Sequence, residues 1–157
     1  MTENEKKLYK NWEKNHLLTC LAEECGEAMK ELYLNLHVNE KLNIELNDVV
    51  AVAELLRELD IINPDLEANS IPNQKIDEAL YTCLSDIQFY THKSIRFGLY
   101  STHPSQERRN VDNIHSSLHA LILIMDSRED LSVNKDHSKK KDKVIHYLEL
   151  AKKSFFV

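Results

Sequence analysis

Apolar residues recur every three to four positions along most of the chain, the period of an amphipathic α-helix rather than the alternation of a strand. Leu8, Trp12, His16 with Leu17, Cys20, Gly26 with Ala28, and Leu32 trace one face of a first helix, from about Glu3 to Asn35. A short connection, NLHVNE, leads to a second helix from about Lys41 to Leu59, with Leu42, Leu46, Val49, Val52, Ala53 and Leu56 on one face. The segment NPDLEANSIPNQ (63–74) carries two of the chain's three prolines and no period, so it reads as a linker. A third helix runs from about Lys75 to Phe97 and stops at Gly98. The loop LYSTHPSQERR precedes a fourth, from about Val111 to Asp126, and polar residues 127–137 precede a last one near Lys140–Phe155.

The expected fold is therefore all-α: a helical bundle with one half over 1–62, a second over 75–130 and a C-terminal helix over 138–157. At 157 residues, one domain of this size buries about two-thirds of its unfolded surface.

The order of long helix, shorter helix, linker, long helix, shorter helix suggests a degenerate tandem repeat. Placed without gaps, IELNDVVAVAE (44–54) lies on SSLHALILIMD (116–126). Leu46 falls on Leu118, Val49 and Val50 on Leu121 and Ile122, and Glu54 on Asp126, whereas Glu45 becomes Ser117 and Asp48 becomes Ala120. For the first helices, one phasing puts Glu27 on Tyr90 and another on Asp86.

Charge narrows the function classes. A net charge of −6 and a pI near 5.7 argue against a duplex nucleic-acid surface, which shows a basic stripe. The one basic cluster, KKKDK at 139–143, is broken by acid and reads as a solvated helix start. Cys20, Cys25 and Cys83 are odd in number and sit at apolar helical positions, as buried thiols do. With no leader-like segment and no run of 18 apolar residues, the expectation is a soluble, cytoplasmic protein without membrane contact.

The acids are placed less ordinarily. In LTCLAEECGEAMKEL (18–32), Glu24 and Glu27 share a helix face, with Glu23 and Glu31 close to it. On the next helix, Glu45 and Asp48 form a second pair three residues apart. A short turn between the helices makes them antiparallel neighbours, so both pairs can converge on one cleft. Like charges that close raise each other's pKa or demand a counter-ion, and a hard divalent cation supplies one. The histidines form no metal set: His115 and His119 are one turn apart but have no third ligand nearby. No glycine-rich phosphate loop or local Ser/His/Asp signature occurs either.

EECGE followed by ELND fits a pattern E-E-x-x-E, spacer, E-x-x-D. It resembles the MazG-like all-α nucleoside triphosphate pyrophosphohydrolases, relatives of the dimeric dUTPases, and especially their small phage-type members. The clear motif covers residues 17 to 56. A second cue, KSIRFGLYSTHPSQERRNVDNI (93–114), is similar to the segment linking the two motif helices in many phage-type members. The first half thus keeps the acids and the second the basic segment, as a fused pseudo-dimer with one composite site would.

The resemblance implies hydrolysis of a (deoxy)nucleoside triphosphate to monophosphate and pyrophosphate, clearing the nucleotide pool. It implies Mg²⁺, with Mn²⁺ a possible substitute, on Glu24, Glu27, Glu45 and Asp48. Glu23, or Glu24 in its place, would orient or deprotonate the attacking water. Lys93 and Arg96 would meet the triphosphate, and Asn47, Trp12 or Tyr81 would reach base or sugar. The chain would act as a monomer with an internal pseudo-dimer or as a homodimer. The alternative is a degenerate relative that binds a nucleotide or a protein without turnover. Gly26, unfavourable by about 1 kcal/mol in a helix interior, would mark the close approach of another helix.

Overall fold

In a computed structural model of the chain, five helices follow one another among the described residues: α1 (Glu3–Asn35), α2 (Glu40–Glu58), α3 (Ile76–Phe97), α4 (Asn110–Asp126) and α5 (Ser138–Phe155). The structure describes residues 1–35, 39–62, 75–100 and 109–155, and no strand occurs among them. The expected linker at 63–74 lies outside the described residues, as do 36–38 and most of the loop between α3 and α4.

Local chemistry explains where the helices start. Thr2 Oγ1 accepts from the Glu5 N–H at 3.1 Å while the Glu5 carboxylate accepts from the Thr2 N–H at 3.3 Å, a reciprocal cap on α1. Asn39 caps α2, its Oδ1 accepting from the Leu42 N–H at 2.8 Å. At the end of α3, Gly98 takes φ 93°, a region open to glycine, and its carbonyl accepts from Asn110 Nδ2 at 3.0 Å. That bond ties the end of α3 to the start of α4.

α1 packs along both α2 and α3, α3 along α4, and α4 touches α2 more lightly. The four helices form a ring in the order α1, α2, α4, α3, and α5 lies over α2 and α1. Leu17, Leu21, Leu46, Leu56, Leu84 and Leu121 are fully buried in a single core cluster. Burying each such side chain stabilises the fold by about 1.5–3 kcal/mol before entropy is counted. Every apolar position expected on the second helix is buried.

One position departs from the expected pattern. Leu8 is 68% exposed. At 33 residues α1 is about 50 Å long, against roughly 28 Å for the 19 residues of α2. Its first turns therefore outrun their partners, and the buried face begins near Trp12 and Leu17.

Gly26 meets α3 as expected. A Cβ there would lie 3.2 Å from Gln88 Nε2, and that amide donates to the Ala22 carbonyl at 2.9 Å. The absent side chain makes room for a polar cross-link between the two long helices.

The connection between α4 and α5 is stapled to α2. Asn47 Nδ2 donates to the carbonyls of Asn43 and Ser132, both at 2.8 Å, and its Oδ1 accepts from the Asn134 N–H at 2.8 Å. Asn43 Oδ1 accepts from the Ser132 N–H at 3.0 Å. With Leu131 buried next to Ser132, residues 127–137 are less solvent-like than their polarity suggests.

Candidate metal centre

The apolar stripe of α1 turns Leu17, Leu21, Cys25 and Ala28 inward, which leaves Glu23, Glu24 and Glu27 along its border. In α2, burying Leu42, Leu46 and Val49 carries Glu45 and Asp48 to the matching border. The two borders meet under α5. All five acids line one cavity of about 490 Å³, together with His16, Thr19, Cys20, Lys140, Lys143, Val144 and Tyr147. The expected convergence therefore occurs.

One carboxylate oxygen from each of Glu24, Glu27 and Glu45 lies within 4.8 Å of the others. The Glu24 side chain is more enclosed than that of Asp48, at 12% against 26% exposed. Glu24 Oε2 and Glu45 Oε2 are buried and have no hydrogen-bond partner among the described residues. Burial, then the charges of Glu27, Asp48 and Glu24, hold the Glu45 carboxyl above its usual range. Burial also raises Asp48, opposed by Lys140 and reinforced by Glu24. The Cys20 thiol is pushed up to about 11 by burial and by Glu23 and Glu24, so it stays protonated at neutral pH and is a poor nucleophile.

These donors fit a hard divalent cation. Buried carboxylate oxygens without donors are unfavourable by themselves, and oxygen-only sets of this kind suit Mg²⁺, Mn²⁺ or Ca²⁺.

The expected substrate contacts are arranged otherwise. Asn47 is 3% exposed, and its amide is consumed by the staple to the α4–α5 connection, His137 Nε2 adding a contact to its Oδ1 at 3.2 Å. Lys93 and Arg96 do not line this cavity. The Lys93 ammonium lies 4.8 Å from the Phe89 ring centre and the Arg96 guanidinium 4.9 Å from that of Phe97. Glu31 turns away to Lys41, 3.4 Å distant. Neither Trp12 nor Tyr81 lines the cavity, although Trp12 stacks on His16, which does, with ring centres 5.2 Å apart.

Positive charge comes instead from α5. Lys140 Nζ lies 2.7 Å from Glu24 Oε1 and 3.8 Å from Asp48 Oδ2. Burial alone would lower the Lys140 pKa, but its hydrogen bond to Glu24 and the charges of Glu24, Asp48 and Glu27 outweigh that and raise it. Lys141 pairs with Glu54 at 2.9 Å and Glu58 at 2.6 Å. The cluster at 139–143 is thus docked on acids rather than solvated throughout. The signal for this was present in spacing: Lys140 lies one turn before Val144, which lies one turn before Leu148, and both apolar residues are buried. Compared with protein-family models, curated proteins and solved structures, the chain matches none.

Proposed function

We propose that the protein hydrolyses a nucleoside or deoxynucleoside triphosphate to the monophosphate and pyrophosphate, with Glu24, Glu27, Glu45 and Asp48 as ligands of Mg²⁺, or of Mn²⁺ in its place. One observation carries this reading. Acids from two helices gather in a single cavity in which Glu24 and Glu45 each keep a buried oxygen without a donor among the described residues. The likeness of EECGE and ELND to the MazG-like pattern supplies the reaction class.

When bound, the ion neutralises phosphate charge and makes a coordinated water more acidic. Glu23, exposed at the cavity wall, orients or deprotonates the attacking water, with Glu24 as its alternate. Lys140 and Lys143 bring the cationic charge for the phosphates, the part first expected of Lys93 and Arg96. His16 and Tyr147 line the same cavity, where a base would meet an aromatic ring. The cavity volume, about 490 Å³, falls inside the roughly 300–1,000 Å³ of small-molecule sites.

The ring of helices supports an internal pairing of halves. Exchanging α1 with α3 and α2 with α4 leaves every neighbour relation among the four unchanged. The protein would then act as a monomer containing a pseudo-dimer, or as a homodimer, on the cytoplasmic nucleotide pool.

A second reading, a binder without turnover, has one observation in its favour: an ammonium already sits among the acids. Pyrophosphate release from a panel of nucleotides with Mg²⁺ tests both. Hydrolysis requires release from at least one nucleotide, lowered about 10²-fold or more by Glu24→Gln and by Asp48→Asn. Nucleotide-dependent thermal stabilisation with no release by the wild type supports the binder and refutes the enzyme.

A further inference from the structure

The first turn of α5 contains Lys139, Lys140 and Lys141 and no acid. Cations at a helix N-terminus oppose the helix dipole, so something outside α5 must favour them there. Lys140 faces Glu24 and Asp48, and Lys141 faces Glu54 and Glu58.

α5 is held independently of Lys140. Val144 and Leu148 enter the core, and His137 Nδ1 contacts Glu54 at 3.1 Å. Toward the far end of α5, Lys152 pairs with Glu13 at 3.0 Å. The Lys140 side chain can therefore leave its carboxylates while the helix stays docked. Its single charge also serves the acids incompletely, since Glu24 Oε2 and Glu45 Oε2 find no donor among the described residues.

We propose that Lys140 is a tethered counter-cation that stabilises the acid cavity when no metal is bound and competes with a divalent cation for Glu24 and Asp48. Metal binding releases the ammonium from these carboxylates, so Lys140 sets the concentration of ion at which the site fills. The inference rests on the metal reading of the same acids, and the experiment separates the two.

Mn²⁺ alone is titrated, by calorimetry or by the electron paramagnetic resonance of the free ion, into the full chain as wild type, Lys140→Met, Lys140→Gln and Lys141→Met. Competition of ordinary strength predicts at least about fivefold tighter Mn²⁺ binding in both Lys140 variants. It also predicts that these variants melt lower than wild type without metal and gain more on adding it. Lys141→Met, which loosens α5 without touching Glu24, should leave Mn²⁺ affinity unchanged. Equal or weaker binding by the Lys140 variants overturns the inference while leaving the metal reading intact. Tightening of the same size in Lys141→Met overturns it too, by assigning the effect to helix docking. Absence of Mn²⁺ binding in the wild type and both Lys140 variants overturns the metal reading itself.

Discussion

Replacing Glu45 by Gln separates a carboxylate kept for chemistry from one kept for stability. With oxygens of Glu24, Glu27 and Glu45 within 4.8 Å, each like-charged pair repels by about 3.5 kcal/mol at an effective dielectric near 20. Glu27 is exposed to solvent and Glu24 is already paired with Lys140, and together these reduce such terms to roughly 0.5–1 kcal/mol per pair. The three repulsions removed, from Glu27, Asp48 and Glu24, give a stabilisation of about 1.5–3 kcal/mol, which for a chain of this length raises Tm by roughly 3–12 °C.

The pH dependence gives the sign independently. Because the folded-state pKa of Glu45 lies above its ordinary 4.5, ionising the folded form opposes folding. The group's contribution to stability is fully present below the unfolded value and is lost as pH rises through the raised one. The Gln variant's advantage should thus be full at pH 7.5 and shrink as pH falls toward 4.5. Thermal melts of metal-free wild type and variant across this range, repeated with Mg²⁺, make the measurement. Mg²⁺ should raise the melting point of the wild type far more than that of the variant. A variant that melts at or below wild type at pH 7.5, or whose advantage persists unchanged at low pH, refutes the reasoning.

Two further outcomes follow from the packing. Asn47→Ala removes two donated hydrogen bonds and leaves the Ser132 carbonyl and the Asn134 N–H without partners, for a loss of about 2–4 kcal/mol. Urea unfolding should show this as a lower midpoint at unchanged slope, and a loss below about 1 kcal/mol would contradict the stapling role. Gly26→Ala gains about 1 kcal/mol of helix propensity but presses on the Gln88 amide 3.2 Å away. It should be near neutral alone and stabilise by about 1 kcal/mol in a Gln88→Ala background; equal effects in both backgrounds would show that the cross-link does not matter.

The helices and the acidic half of the site were legible in the residue order because their causes are local. A 3.6-residue period dictates which side of α2 is buried, and that places Glu45 and Asp48 at its border wherever the helix goes. Gly26 announced a close neighbour through its missing side chain, though not that Gln88 would be the neighbour.

Tertiary structure alone decided how the acids are neutralised and which polar residues are free. Asn47 stands beside Asp48 in the chain, yet the return of residues 132–137 across α2 turns it into a staple. Lys140 belongs to a charge run that looks solvated until α5 docks over α1 and α2. Lys93 and Arg96 carry the right charge but lie outside the cavity, against aromatic rings of their own helix. Helix phase is written in neighbours three and four residues apart. The partner of a charged or amide group depends instead on which distant segment arrives, and no local period encodes that arrival.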